Sequence, residues 1–581
     1  MPFILDWEDD ESSDSIFPGA SFASEEEPND TLAQLPVPPP FAPLPDVFAD
    51  EPLTIIEDVH KPEEKTLDGM LRCFPFPEIR EAQAAAIEVI ANAYDDPEKR
   101  FVIIEAATGS GKSGIGMATA IWSAEAEDGG AHYLTSQNSL GAQLVEDFAK
   151  HGMVQLKGKA NYQCNEISES CAVASAMASR KRCCPGCPYR ADKNRYLKNP
   201  IGGTNYSYYM NETSSPYSEL KPREFLILDE AHNIEKEVLS MVDIAVTSTD
   251  CQRYELPVEL PRFAKDSPGR TRKWLSEHML PALNNYIKAY EHSERPIIIG
   301  FREKAMKLRD NIELYLNSEA NEWVASSNAD GSLSIRPLIP ADFAEQYLFR
   351  GSENIIMMSA TILNFPTFRR ALGIPKAETS SIVIPSDFPV KNRRIVVWPV
   401  GSMSAKTIED TTPVSIERTI ALLDKWKDKK GIIHTHTYKI NDNFKQALAK
   451  THHGHRIITH DRNPESRNAA IARHLSSLDP TVLMSPSMTE GLDLRGELSR
   501  FQIVVKVPFP FLDDYTKARM ELDPKWYQLQ TAIPLVQMTG RSVRDKEDYA
   551  VTIILDADFQ RFLSQNQDML PDWWLSAIEF R

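Results

Sequence analysis

From Phe76 onward, short apolar runs alternate with stretches whose apolar residues recur at helical spacing. The runs Phe101–Ile104, Glu224–Leu228, Ile355–Met358, Ile395–Trp398, Gly431–His434, Val482–Met484, Gln502–Val505 and Ala550–Leu555 read as strands. Strands that alternate with helices predict an α/β fold of parallel sheets joined by right-handed crossovers. Arg270–Tyr290 and Arg302–Leu316 carry the helical period without intervening strands. Trp323–Ala325 and Leu333–Ile335, joined through Asp330-Gly331, read as a hairpin. No repeat of 20–50 residues is evident. No run of 18 apolar residues occurs, so a membrane-spanning helix is not expected.

The first 65 residues lack this texture. They hold 17 acidic residues against Lys61 and Lys65, and 11 of the 40 prolines. Such a segment is expected to stay disordered, because it has too little apolar surface to offset the entropy of ordering. Its scattered aromatics, Phe17, Phe22, Phe41 and Phe48, suit docking on a protein partner or covering a basic groove. A purely solvated leader is the plain alternative. The start is acidic and has no basic-then-apolar pattern, so a secretory signal is not expected.

The net charge of −19 on 581 residues at first disfavours a nucleic-acid partner. Most of it, −15, lies on the leader, which leaves −4 on the other 516 residues. Residues 157–198 carry a net +6. The length implies several domains. Seven cysteines in so long a chain are not a disulfide scaffold, and an intracellular, reducing compartment is expected.

Chemistry enters at the end of the first strand. Phe101–Ile104 runs into Glu105-Ala-Ala-Thr108-Gly109-Ser110-Gly111-Lys112-Ser113, followed by a helical stretch. Strand, glycine-rich turn and helix form the phosphate-binding loop arrangement, with Ala106 where its first glycine usually stands. Gly109 and Gly111 let backbone N–H groups close around phosphate oxygens, and the helix N-terminus favours anions. Lys112 would reach the β/γ-phosphates and the Ser113 hydroxyl would ligate Mg²⁺. A second apolar strand ends in Asp229-Glu230-Ala231-His232. Asp229 would hold the Mg²⁺, and Glu230 would orient and deprotonate a water attacking ATP. An isolated acidic pair is usually a solvated strand end; the phosphate loop upstream makes it half of a site.

Further blocks follow in order. They are Gln83 in Phe76-Pro-Glu-Ile-Arg80-Glu-Ala-Gln83, Leu134-Thr135-Ser-Gln-Asn138-Ser-Leu140 with Gln143, and Ser359-Ala360-Thr361. Then come Gly431–Tyr438, Glu490-Gly491-Leu-Asp493-Leu-Arg-Gly496 and Gln537-Met-Thr-Gly-Arg541-Ser-Val-Arg544. Together these resemble the motifs of superfamily 2 helicases across about residues 70–560. The resemblance implies two RecA-like motor domains. It gives Gln83, Thr108, Gly109, Ser110, Gly111, Lys112, Ser113, Gly491 and Asp493 a role in nucleotide binding. Gln537, Arg541 and Arg544 would face the γ-phosphate from the second domain. Thr135, Asn138 and Thr489 would contact the DNA strand.

Five of the seven cysteines fall within 24 residues: Cys164, Cys171, Cys183, Cys184 and Cys187. Clustered soft ligands with a Cys184-Pro-Gly-Cys187 pair indicate a metal or cluster site. Their surroundings, Lys157-Gly-Lys159-Ala-Asn-Tyr162-Gln-Cys164 and Cys187-Pro-Tyr189, resemble the iron–sulfur insertion of the XPD/DinG helicases. So do Thr204-Asn-Tyr206, Ser386–Arg393 and Val507-Pro-Phe-Pro510. The resemblance implies a [4Fe–4S] cluster on Cys164, Cys171, Cys184 and Cys187, with Cys183 competing for the place of Cys184. A Cys₄ zinc site is the rival, although only one short Cys-x-x-Cys knuckle is visible where zinc ribbons usually have two. Lys159, Tyr162, Tyr189 and Arg190 would meet single-stranded DNA through phosphate contacts and base stacking. Cys73 and Cys251 read as incidental buried thiols.

The expected organisation is a leader over 1–65, motor domain 1 over 66–156, a cluster insertion over 157–200 and a return to motor domain 1 over 201–240. A helical insertion resembling the Arch of these helicases follows over 241–320, then the end of motor domain 1 over 321–375 and motor domain 2 over 376–581. The resemblance implies an ATP-dependent DNA helicase acting on single-stranded and forked DNA with 5′→3′ polarity, cytoplasmic, and nucleoid-associated in a bacterial or viral setting. An RNA helicase of the DEAH type and a partner-recruited translocase that does not separate strands are the alternatives.

Overall fold

A computed structural model describes residues 66–581 except 178–183, 257–259, 262–267, 320–321, 329, 488–493, 495, 541 and 544–545. The acidic leader, Cys183, Thr489, Gly491, Asp493, Arg541 and Arg544 therefore lie outside the described residues. In chain order the strands of the first lobe are β1 (Phe101–Ala106), β2 (Ala131–Thr135), β3 (Val154–Gln155), β4 (Ile201–Asn205) and β5 (Phe225–Asp229). A small antiparallel sheet follows, β6 (Ile244–Val246), β7 (Trp323–Ser327) and β8 (Leu333–Pro337). Then β9 (Asn354–Ser359) and β10 (Thr379–Ile384) return to the first lobe. The second lobe holds β11 (Arg393–Gly401), β12 (Gly431–His434), β13 (Ile457–Ile458), β14 (Val482–Ser485), β15 (Phe501–Val504), β16 (Ala550–Asp556) and β17 (Ile578–Phe580).

The first sheet runs β10-β1-β9-β5-β2-β4-β3 and the second β13-β14-β12-β15-β16-β11-β17, with every pairing parallel. Helices cover both faces, so strands such as β1, β12 and β15 are buried at every residue. The doubled α/β architecture is the one the alternation predicts. Four strands of the first sheet are additions: β2, β3, β4 and β10. Two consecutive glycines weaken any strand signal in β4. They are needed there because a Cβ on Gly202 would come within 2.5 Å of the Tyr196 ring.

The helix expected over Arg270–Tyr290 forms in two pieces, Pro268–Trp274 and Leu280–Ala289, joined by a wider turn over Leu275–Met279. That turn absorbs Pro281, which has no N–H for a regular helical bond. Arg302–Leu316 lies inside one helix, Pro296–Asn317. The predicted hairpin is β7–β8, and β6 completes its sheet. The cysteine-bearing segment touches these helices, with Arg302 Nη2 donating to the Ala176 carbonyl at 3.0 Å. Among the described residues no helix is long and apolar enough to cross a membrane.

Candidate ATP site, strand contacts and cysteine cluster

Parallel register gathers the phosphate site. β9 lies between β1 and β5, pairing Glu105 with Ser359 and Asp229 with Met358. The phosphate loop, the Ser-Ala-Thr block and the acidic pair thus leave one sheet at the same carboxyl edge, where α/β folds place ligands. Gly109 and Gly111 take φ of 78° and 82°, a region open to glycine at little cost. A Cβ on Gly111 would lie 2.2 Å from Gln83 Nε2. Gln83 is buried and donates to the Ser110 carbonyl at 2.9 Å, so it braces the loop from below. Arg80, not anticipated from the sequence, donates to the Gly109 carbonyl at 3.2 Å and faces Asp387 at 3.8 Å. Asp387 also pairs with Lys546 of the second lobe at 2.9 Å. Lys112 Nζ donates to the Ala106 carbonyl at 3.2 Å across the loop.

Burial, helped by the neighbouring Glu230 and opposed by Lys112, pushes Asp229 up to about 6. A buried carboxylate raised in this way is one that a divalent cation would restore to its charged form. With the Ser113 hydroxyl on the first turn of the next helix, the donor set fits Mg²⁺. Glu230 sits at φ 51°, left-handed for a non-glycine residue, and its N–H donates to Asp229 Oδ1 at 2.9 Å. A left-handed backbone is a strained conformation for glutamate, and it falls within the acidic pair. The Tyr206 hydroxyl anchors the Asp229 carbonyl at 2.9 Å.

His232 joins three motifs. One ring nitrogen lies 2.8 Å from Ser359 Oγ and the other accepts from Gln537 Nε2 at 2.6 Å. Gln537 also donates to Thr361 Oγ1 at 3.2 Å. Gln537 belongs to the second lobe, on the helix Pro524–Thr539, so the acidic-pair block and the Ser-Ala-Thr block both meet the opposite lobe at this one glutamine. The motif pattern contained His232 but assigned it no role; nothing local marks it.

The expected strand contacts are placed unevenly. Thr135 is buried and donates to the Gln137 carbonyl at 2.9 Å. Asn138 links Asn161 and Asn205 at 3.3 and 2.9 Å. Lys159 stands 5.5 Å over the Tyr189 ring. The Tyr162 hydroxyl donates to Asp192 at 2.9 Å. Tyr189 is 3% exposed, with its hydroxyl 2.9 Å from that of Tyr208, so stacking on a base would require this packing to open. Arg190 is clamped by Glu219 at 2.7 and 2.9 Å, and Lys193 by Glu212 and Glu219 at 2.5 and 2.8 Å. Glu212 and Glu219 lie outside 157–198, so the +6 of that segment is partly neutralised by acids brought in from elsewhere.

The four cysteines proposed as ligands come together. Cys164, Cys171 and Cys187 are buried and Cys184 is half-buried. The Cys164 and Cys184 sulfurs are 3.8 Å apart, and those of Cys171 and Cys187 3.6 Å apart. Burial works to raise the Cys187 thiol. The N–H groups of Arg190 and Tyr189, with the adjoining Cys171 and Cys184 thiols, outweigh burial and hold it below the ordinary thiol value. Clustered thiols with N–H donors aimed at sulfur fit a metal–thiolate centre. Four cysteine thiolates are the donor set of a [4Fe–4S] cluster and also of a Cys₄ zinc site.

Two parallel α/β lobes, a phosphate loop with an acidic pair on one and a glutamine reaching across from the other, form a candidate nucleotide site. Comparison with known proteins agrees. Residues 76–255 match the family model described as type III restriction enzyme, res subunit, and residues 420–577 that of the helicase C-terminal domain. The ATP-dependent DNA helicase DinG of Photobacterium profundum is 25% identical over 368 residues, covering 55% of this chain and 51% of the relative. The XPD/RAD3 helicase subunit of the general transcription and DNA repair factor IIH of Saccharomyces cerevisiae is 23% identical over 314 residues, covering 48% and 37%. A solved XPD helicase superposes with a TM-score of 0.62 at 15% identity, covering 87% of this chain and all of that one. The chain thus spans about half the length of the DinG helicase it matches, and less of the XPD subunit. The chain is thus similar to DNA helicases of the XPD/DinG group.

Proposed function

We propose that the chain is an ATP-dependent DNA helicase that moves along single-stranded DNA and separates duplex at a fork. The observation that carries this reading is the contact of Gln537 with His232 and Thr361 across the two lobes. When Asp229 and Ser113 hold Mg²⁺ on ATP, the metal would supply charge stabilisation to the transferring phosphoryl group. Lys112 and the loop amides bind the phosphates, and Glu230 takes the proton of the attacking water. Arg541 and Arg544 are proposed to reach the γ-phosphate from the second lobe. Hydrolysis then requires lobe closure, and the His232 bridge reports closure to the Ser-Ala-Thr strand end, which β5 separates from the strand-contact block at the end of β2. The helical region over 241–320 is proposed as the Arch-like element and the cysteine segment as the wedge beside the strand path. Single-stranded and forked DNA are the proposed partners, with 5′→3′ polarity. A protein partner for the acidic leader is proposed separately.

Strand displacement on forked duplexes bearing one 5′ or one 3′ tail tests both activity and polarity. Unwinding of the 5′-tailed fork, lost in Lys112→Ala while strand binding persists, is the expected result. ATP turnover that is stimulated by RNA and not by DNA would point to the DEAH-type RNA helicase instead. Stimulated turnover without displacement would point to a translocase.

A further inference from the structure

Strand β1 is apolar except at Glu105, which is as buried as its neighbours at 4% exposed. This carboxyl stands directly before Ala106, where the phosphate loop begins. Burial drives it up to about 7; among the described residues the N–H groups of Leu363 and Ile362, not a cation, oppose the rise. A buried carboxyl without a counter-charge costs stability. Local conflicts of this kind in an otherwise consistent fold mark functional positions.

The partner of Glu105 is itself strained. The Leu363 N–H donates to Glu105 Oε2 at 2.5 Å. Leu363 takes φ of 60°, and the Asn364 N–H donates to the Ile362 carbonyl at 2.7 Å, closing a three-residue turn around it. A turn of this hand is rare and strained. It follows directly on Ser359-Ala360-Thr361 and sends consecutive side chains into opposite lobes. Ile362 belongs to the first-lobe core that includes Phe101 and Ile103. Leu363 packs against the second-lobe core that includes Ile395 and Val504. Asn364 then caps the helix Phe365–Leu372, accepting from the Thr367 N–H at 2.9 Å.

We propose that Glu105 is a positioning residue for ATP hydrolysis: its side chain holds the strained turn at Leu363 and so fastens the strand leading into the phosphate loop to the residue that packs into the opposite lobe. The connection runs through a main-chain N–H and an apolar side chain, so it needs neither His232 nor Gln537. The inference rests on the proposed hydrolysis site and extends it.

ATP turnover is measured with and without single-stranded DNA for the full chain, Glu105→Leu, Glu105→Gln, Leu363→Ala and the double variant Glu105→Leu, Leu363→Ala. Circular dichroism checks that each is folded. Glu105→Leu should lower kcat about tenfold, the scale of one charge-assisted hydrogen bond, and leave the KM for ATP within about twofold. Glu105→Gln keeps an acceptor oxygen without the charge and should lose only about threefold. Leu363→Ala should match Glu105→Leu, and the double variant should be no slower than either. Hydrogen exchange at residues 362–364 should be about tenfold faster in Glu105→Leu. If Glu105→Leu does not fold, Glu105→Gln and Leu363→Ala carry the comparison. Unchanged kcat in the folded variants, losses that multiply in the double variant, or a raised KM with kcat intact would overturn the proposal. A wild type that turns over ATP without stimulation by DNA would count against the helicase reading alone, and the unstimulated kcat values would still decide this one. A wild type with no turnover would overturn the hydrolysis site and this inference with it.

Discussion

Glu235 follows the Asp-Glu-Ala-His block on the helix Ile234–Val242 and crosses to the second lobe. It accepts from Arg519 at 2.7 Å and from the Trp526 indole N–H at 3.1 Å. The Arg519 side chain is 3% exposed and that of Glu235 15%. Burial raises Glu235 above the ordinary carboxylate value although Arg519 and Trp526 oppose the rise. Glu235→Ala would leave a guanidinium buried without its counter-charge. Removing one partner of a buried pair costs about 3–5 kcal/mol. Arg519 keeps its position 4.8 Å over the Trp526 ring, so the lower end applies. A loss of about 3 kcal/mol corresponds to roughly a hundredfold change in an opening equilibrium. Native-state hydrogen exchange is the suitable assay, because a chain of several domains need not unfold in one step. Amides of Ile234–Val242, Asp514–Leu522 and Pro524–Thr539 should exchange roughly a hundredfold faster, while β1 and β9 stay protected. The double variant Glu235→Leu, Arg519→Met removes both charges. It should recover all but about 1 kcal/mol, the cost of the unpaired Trp526 N–H. A change of less than about threefold in the single variant, or a double variant as labile as the single one, would refute the reasoning.

Other outcomes follow from the same geometry. Lys112→Ala should abolish ATP turnover with strand binding retained, as measured by steady-state hydrolysis and filter binding. His232→Ala should reduce strand-stimulated turnover about tenfold more than unstimulated turnover, the scale of a 1–2 kcal/mol coupling; equal losses in both would make His232 merely structural. Glu105 is buried and is raised by that burial from 4.5 to about 7. The folded chain therefore keeps a proton that the unfolded chain releases, and the associated stability, complete below about pH 4.5, is lost as pH rises through about 7. Glu105→Gln should flatten that decline, by on the order of 1–3 kcal/mol between pH 5 and pH 8 in denaturant titrations.

The features legible in the sequence are those carried by neighbouring residues. The phosphate loop needs a buried strand, two glycines and a helix start within a dozen positions, and the acidic pair needs only the end of a strand. Both folded where the pattern placed them because each is decided within one turn of chain. The doubled α/β architecture was legible for a similar reason: strands buried on both faces are apolar at every position. Strands β2 and β4 escaped because their signal is diluted by His132, Thr135 and paired glycines whose justification, the Tyr196 ring, lies on another element. Tyr189 read as a stacking platform because tyrosine suits both water and core, and only packing chooses between them. The charge of the cysteine segment was overstated because Glu212 and Glu219 arrive from beyond it in space. The His232–Gln537 contact joins residues 305 positions apart, and no local preference encodes such a distance. Sequence by itself determined which atoms are available for phosphate, metal and proton chemistry. Tertiary structure decided which of them meet. It also decided that Cys164, Cys171, Cys184 and Cys187, spread along the chain, stand together.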